Sequence, residues 1–211
     1  LHFAGDIDPA AAEAAVAGLV SAITPSATDR TGYEIPPQDY AGRVVFIDVP
    51  GAKQSVLQIG ALVPDSNHPD FTKIQFANEK LGGGIAGDLA QVLRIEKGYT
   101  YGAGSYIPRN TVERPFTIRT SVRSNATAAS LETIRDMVRA YPETFDADVV
   151  ETTQQKIIKS SALDFESLGA KLGTLSNISR LGLSDRYVEE EQAELVAMTP
   201  DEFARVARDY M

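Results

Sequence analysis

The chain has 211 residues, 43% of them hydrophobic and 23% charged, which is the composition of a soluble globular protein with one large or two small domains. Its net charge of −9 argues against a nucleic-acid ligand, because phosphate binding requires clustered lysine and arginine side chains. The lack of cysteine excludes disulfides, thiolate metal sites and cysteine nucleophiles, and no apolar run reaches the roughly 20 residues of a membrane helix.

The N-terminal part predicts a strand, a helix and a long connection. Residues 1–4 have the pattern of a strand, and an alanine-rich helix follows from Pro9 to about Ile23. Asp8 is a suitable N-cap for this helix, and proline is favoured at the first helical position. Residues 24–42 contain three prolines and predict an extended connection. Because the chain begins inside a strand-like run and not at a methionine, we expect a fragment or processed piece of a longer protein.

Two strands and a helix are predicted next. Residues 43–49 and 55–63 have strand patterns, and Leu57, Ile59, Ala61 and Val63 would share one face of the second strand. The short link at residues 50–53 predicts that these two strands pair as a hairpin. Residues 71–81 predict a helix that ends at three consecutive glycines, Gly82-Gly83-Gly84.

A short helix, two strands and a helical half complete the pattern. Residues 86–97 predict a helix with Leu89, Val92 and Leu93 on its apolar side, ended by Gly98. Residues 99–107 predict a strand, and alternation across residues 116–123 predicts another with one solvated face. The helical half begins with a helix that has Leu131, Ile134, Val138 and Tyr141 on one face. Two further helices are predicted over residues 149–163 and 184–196. A final helix begins at the capping box Thr199-Pro200-Asp201-Glu202. This order predicts an α+β fold, with a mostly antiparallel sheet, helices packed on one face and a helix-rich C-terminal half.

The glycine triplet allows three interpretations. A phosphate-binding loop would lie between a strand and a helix and would end in Gly-Lys-Ser or Gly-Lys-Thr, whereas a helix precedes this triplet and Ile85-Ala86 follows it. A sharp break between two helices needs only the conformational freedom of glycine. Alternatively, the bare backbone of Gly82, Gly83 and Gly84 would let a peptide or another domain approach closely.

Arg94 and Tyr101 form a candidate pair across the helix end. A cation in the last turn of a helix is favoured by the helix dipole alone, and a tyrosine at a strand start is ordinarily half-buried packing. The two residues lie seven positions apart, so they could converge on one side of the turn. Together they would offer the donors of a guanidinium fork and a phenol, which suit peptide carbonyls or an oxyanion.

The sequence contains few residues that could catalyse a reaction unaided. His2 and His68 lie far apart, and a catalytic zinc site usually needs three protein ligands. Neither the Gly-x-Ser-x-Gly pattern of serine hydrolases nor the His-Glu-x-x-His pattern of zinc proteases occurs. The acidic run Glu189-Glu190-Glu191 is explained by a solvated helix face. We therefore predict no catalytic residue and no metal ligand in this chain alone.

The segment from Leu81 to Gly102 resembles the C-terminal, non-zinc homologous domain of the insulinase-like zinc metallopeptidases, the M16 family of pitrilysin and the mitochondrial processing peptidase. The resemblance is carried by Leu81-Gly82-Gly83-Gly84 and by Leu93-Arg94-Ile95-Glu96-Lys97-Gly98-Tyr99-Thr100-Tyr101-Gly102. Residues 4–9, 49–55 and 199–202 support it. Family members commonly have Ser-Arg-Leu where this chain has Gly87-Asp88-Leu89, so a surface or partner contact there would differ.

The resemblance implies a division of labour between two domains of similar fold that face each other like a clamshell. One domain carries a His-x-x-Glu-His zinc motif, which this chain lacks, and the other supplies an arginine and a tyrosine to the bound peptide. By resemblance these are Arg94 and Tyr101. Residues 1–211 would then be one domain of a longer two-domain peptidase. Its partners would be a peptide substrate and a zinc-bearing domain, on the same polypeptide or a separate subunit.

Two other functions remain open at this point. Some relatives keep the fold as non-catalytic scaffold or interaction subunits, and a partner domain without a zinc motif would favour that role here. A small-molecule binder that uses the glycine turn is the third possibility. Because bacterial relatives are often exported, the resemblance favours the periplasm as the compartment.

Overall fold

A computed structural model describes residues 1–23 and 42–211. The predicted connection at residues 24–42 therefore lies almost wholly outside the described residues. The strands are β1 (Gln54–Val63), β2 (Thr100–Tyr106) and β3 (Arg114–Arg123). The α-helices are α1 (Pro9–Ala22), α2 (Phe71–Gly82), the single turn α3 (Asp88–Ala90), α4 (Thr127–Ala140), α5 (Ala147–Ser161), α6 (Leu168–Leu181), α7 (Tyr187–Ala197) and α8 (Pro200–Tyr210). Within these ranges no helix has both the length and the apolar character needed to cross a membrane.

The three strands form an antiparallel sheet in the order β1-β3-β2. The central strand β3 has Phe116, Ile118 and Val122 at most 2% exposed on the inner face, and it alternates as predicted from Ile118 onward. Thr117, predicted on the solvated face, is 2% exposed. Because a strand turns successive side chains to opposite sides, this alternation fixes which face of the sheet is buried. The α+β prediction is confirmed, and the described strands pair only in the antiparallel sense.

The core lies between the inner face of the sheet and the helices. Its buried side chains come mainly from β1, α2, β3, α4, α5, α7 and α8, and also from α3, the segment that follows α3 and the turn after α4. The largest fully buried ones include Tyr141, Phe71, Phe203, Ile74, Leu81, Leu89, Leu93, Ile118, Ile134 and Leu195. Helices α2, α4 and α8 contact the strands directly. Of the predicted inner face of α4, Ile134 and Tyr141 are buried, whereas Leu131 is 40% exposed. Burial of these side chains is the main favourable term in folding.

Helix α8 is tied to the start of α2 by a group of polar side chains. Arg205 donates from Nη1 and Nη2 to the two carboxylate oxygens of Asp70, at 3.0 and 2.9 Å, and the Tyr210 hydroxyl donates to the same carboxylate at 3.0 Å. These hydrogen bonds, that of Arg205 above all, lower the pKa of Asp70. The predicted capping box of α8 is confirmed, since the Glu202 amide donates to the Thr199 hydroxyl and the Thr199 amide donates to the Glu202 carboxylate.

Two predicted strands are wrong. Residues 1–4 form no strand, and Phe3 and Ala4 instead line an open cleft against α6. Residues 43–49 do not pair with β1, although the Pro50-Gly51 turn forms, with the Ala52 amide donating to the Val49 carbonyl at 3.1 Å. β1 pairs with β3 along its whole length instead, and Phe46 is left 80% exposed. A strand requires a neighbour to satisfy its backbone, and a local pattern does not identify that neighbour.

Candidate functional site: a glycine turn beside a bulged strand

The glycine triplet ends α2 and turns the chain into a short 3-10 segment, Gly84–Ala86. Glycine is needed at each of the three positions for a different structural reason. A side chain on Gly82 would overlap Ser105 of β2, so here the close approach is made by a strand of the same chain. Gly83 caps the helix, and its added side chain would meet Glu79. Gly84 has φ +72° with open space around it, so its need is conformational.

Two side chains hold the glycine turn from outside. Lys156 of α5 donates from Nζ to the Gly83 carbonyl at 2.9 Å and pairs with Glu79 at 3.0 Å. Gln91 donates from Nε2 to the Ile85 carbonyl at 2.7 Å. Residues 84–86 are exposed. The exposed residues 84–86 are therefore held in place by hydrogen bonds to the Gly83 and Ile85 carbonyls.

The segment after the turn is not the single α-helix that residues 86–97 predicted. It consists of α3 followed by a π turn over Gln91–Glu96, in which the Lys97 amide donates to the Val92 carbonyl, five residues earlier, at 3.0 Å. Leu89 and Leu93 are fully buried as predicted. Single π turns are frequent at functional sites. Gly98 ends the segment with φ +61°, as predicted for a helix C′ residue.

Arg94 and Tyr101 meet on the outer side of this turn. The guanidinium carbon of Arg94 lies 4.7 Å from the centroid of the Tyr101 ring, within cation–π distance. Tyr101 is 88% exposed, so the half-buried packing role that a strand-start tyrosine usually has does not apply. In the described part of the chain, no carboxylate pairs with Arg94. The pair therefore places the guanidinium fork of a half-buried arginine beside the phenol of an exposed tyrosine.

Strand β2 carries a bulge at Tyr101. Thr100 lies opposite Val122 and Ala103 lies opposite Thr120, so two residues of β2 face only Ser121 between them. A bulge of this kind bends the strand and changes the direction of its side chains, and bulges are over-represented next to active sites. The bulge was not predicted from the sequence.

The polar side chains beneath the turn are paired with other groups of the same chain. Lys80 forms an ion pair with Asp88, and its ammonium lies 5.2 Å from the Tyr141 ring centroid. The Tyr141 hydroxyl donates to the Ala77 carbonyl at 2.5 Å. Burial raises the pKa of Tyr141 well above its ordinary value. Asp88 is thus engaged within its own chain, on the protein side of the turn.

The described residues do not fit a zinc site. Among them, no three histidine, aspartate or glutamate side chains are close enough to hold a metal ion. His68 accepts a hydrogen bond from the Asp70 amide at Nδ1, and its ring packs edge-on against Tyr210, while His2 is exposed near the N-terminus. Both histidines are therefore accounted for without a metal.

Comparison with known proteins identifies the fold. The family model described as Peptidase M16 inactive domain matches residues 1–157. A peptidase M16 inactive domain from Pseudomonas fluorescens is 21% identical with a TM-score of 0.68, over 76% of this chain and 39% of that chain. A protease from Helicobacter pylori is 16% identical with a TM-score of 0.70, over 77% and 40% of the two chains.

A shorter structure matches over nearly its whole length. The inactive peptidase domain of an assigned zinc protease from Bordetella parapertussis is 14% identical with a TM-score of 0.62, over 79% of this chain and 90% of that chain. The chain thus spans about two fifths of the first two structures and most of the third. A comparison with curated protein sequences found no match. At these identities the structures support the fold, and the family model supports the predicted resemblance.

Proposed function

Because the chain belongs to the Peptidase M16 inactive domain family, we propose that it is the substrate-binding half of a zinc-dependent metalloendopeptidase. Residues 1–211 would form one domain of the enzyme, facing a homologous domain that carries the zinc. Zinc bound there would supply Lewis-acid polarisation and an activated water. The contribution of this chain would be to bind and orient the peptide.

The stacked pair of Arg94 and Tyr101 carries this proposal. The half-buried Arg94 guanidinium lies beside the exposed Tyr101 ring, with 4.7 Å between the guanidinium carbon and the ring centroid. Peptide carbonyl oxygens accept such hydrogen bonds, and a bond from a charged donor strengthens as negative charge grows on the oxygen. Stacking on the ring limits the orientations of the guanidinium, so less conformational entropy is lost when the peptide binds.

The exposed backbone beside the pair supports a peptide ligand. Residues 84–86 are exposed, while Lys156 and Gln91 hold the carbonyls of Gly83 and Ile85 in place. An exposed glycine such as Gly84 lets an extended chain approach closely. We propose that the peptide lies across this turn and meets the Arg94–Tyr101 pair.

Arg94→Lys and Tyr101→Phe test the proposal in the complex of this chain with its zinc-bearing partner, using cleavage of a quenched fluorescent peptide. Lysine lacks the planar fork and phenylalanine lacks the hydroxyl but keeps the ring. Each substitution should lower kcat/KM at least tenfold, or about 1.4 kcal/mol. Arg135→Lys is the matched control, since Arg135 is an exposed α4 arginine paired with Asp136, and it should leave cleavage unchanged.

Two outcomes would contradict the proposed function. Full cleavage by both site variants would remove Arg94 and Tyr101 from substrate binding. A co-purifying partner that contains no zinc would instead favour the scaffold role. The periplasmic location stays a prediction, which cell fractionation with an antibody to this chain would check.

A further inference from the structure

The bulge in β2 is held by threonine hydroxyls. The Gly102 amide donates to the Thr100 hydroxyl oxygen at 3.1 Å, and the Thr120 hydroxyl lies 2.9 Å from the Gly102 carbonyl. The two hydroxyl oxygens are 3.0 Å apart. Thr100 Oγ1 also lies 2.8 Å from the Gly102 carbonyl and 2.6 Å from the Ser121 carbonyl. Both backbone groups of Gly102, the residue after Tyr101, are therefore bonded to threonine side chains.

Thr120 belongs to the paired strand β3, and its polar side chain lies on the buried face of the sheet. It is 3% exposed, in the same alternation as Phe116, Ile118 and Val122. A buried hydroxyl costs free energy unless it forms hydrogen bonds. Here its bonds go to the bulge of β2, so a valine of the same shape would suit the core while leaving the Gly102 carbonyl without this partner.

We propose that Thr120 is a positioning residue for Tyr101, and through Tyr101 for Arg94. Its hydroxyl fixes the bulge at Gly102, and the bulge sets the direction in which the Tyr101 side chain leaves the strand. Arg94 then stacks on a ring whose position is determined from β3. The importance of this positioning for catalysis rests on the proposed function, whereas the geometric effect on the pair does not.

Thr120→Val and Thr120→Ser test the inference in the same complex. Valine keeps the shape and removes the hydroxyl, whereas serine keeps the hydroxyl. We expect Thr120→Val to lower kcat/KM about tenfold, since small displacements of binding groups reduce rates by factors of this order or more. Thr120→Ser should restore most of the activity, which a purely structural effect of lost packing would not do.

A second measurement reports the contact between Arg94 and Tyr101 and does not require peptide cleavage. In the folded protein, the Tyr101 ring shifts the NMR resonances of the Arg94 side-chain protons that lie over it, and this shift should be lost in Thr120→Val and kept in Thr120→Ser. Thr117→Val is the control, because Thr117 is also buried on β3 but its hydroxyl donates only to the Pro115 carbonyl, at 3.4 Å. It should change neither readout.

The outcomes separate the two proposals. If Thr120→Val keeps both the ring-current shift and the cleavage rate, the positioning role is wrong. If Arg94→Lys and Tyr101→Phe cleave normally but Thr120→Val loses the shift, the proposed function fails and the positioning of the pair stands. If Thr120→Val does not fold, Thr120→Ala also removes the hydroxyl that contacts the Gly102 carbonyl, and the same two readouts decide.

Discussion

Replacement of Gly82 by alanine tests the tight contact between the glycine turn and β2. The new methyl group would overlap the amide nitrogen, Cβ and Oγ of Ser105. The hydroxyl can rotate away, but the amide and Cβ belong to the strand and cannot. We therefore expect β2 to move away from the end of α2.

The magnitude follows from the contacts that this movement would break. Asn78 joins the two elements, because its Nδ2 donates to the Ser105 carbonyl at 3.3 Å and its Oδ1 accepts from the Ser105 hydroxyl at 2.5 Å. Loss of two neutral hydrogen bonds costs about 2 kcal/mol, and overpacking costs about 1–3 kcal/mol more. The higher helix propensity of alanine returns about 1 kcal/mol. The net destabilisation expected for Gly82→Ala is about 3 kcal/mol.

Gly84→Ala is the matched comparison, because it adds the same methyl group two residues later. Gly84 has φ +72° and nothing within 4 Å of an added Cβ, so the substitution should cost only the left-handed strain of about 1 kcal/mol. Urea unfolding followed by circular dichroism measures both values. In thermal melts we expect Tm to fall by about 9 °C for Gly82→Ala and about 3 °C for Gly84→Ala. Equal losses in the two variants would refute the packing argument.

Two further predictions concern the core and the α2–α8 contact. Tyr141→Phe should lower the free energy of unfolding by about 1 kcal/mol, since it removes the hydrogen bond to the Ala77 carbonyl; unchanged stability in urea would contradict that bond. Because burial raises the pKa of Tyr141, its contribution is full below about pH 10 and is lost at higher pH, so Tyr141→Phe should also lessen alkaline unfolding. Arg205 lowers the pKa of Asp70, so their contact stabilises the fold above about pH 4 and this stabilisation is lost as the pH falls through the folded-state pKa. Arg205→Met should therefore flatten the acid limb of a stability–pH curve, and an unaltered limb would show that the pair contributes nothing.

The features predicted correctly from the sequence are those set by neighbouring residues. The N-cap of α1 at Asp8, the capping box at Thr199 and the left-handed Gly98 each depend on a few adjacent positions. The alternation of β3 was equally readable, because one buried face imposes a period of two. The meeting of Arg94 with Tyr101 was predicted from their spacing across a helix end, and the structure brings them together.

The features missed depend on contacts between distant segments. Residues 43–49 have a strand pattern, but the pairing of β1 with β3 joins residues about 60 positions apart, which no local pattern specifies. The π turn arises where buried Leu89 and Leu93 fix the segment against the core. The bulge could have been suspected from Thr120, a polar residue in the buried alternation of β3.

The glycine turn depends on a hydrogen bond from Lys156 that can form only late in folding. The ammonium that holds the Gly83 carbonyl lies 73 residues further along the chain, so this bond can form only after α5 has docked. Contacts of such sequence separation carry a high loop-closure entropy and tend to form late. The glycine turn is therefore expected to be among the last parts of the domain to reach its final structure. An isolated segment spanning residues 81–102 would contain Arg94 and Tyr101 but would lack the Lys156 contact that holds the turn beside them.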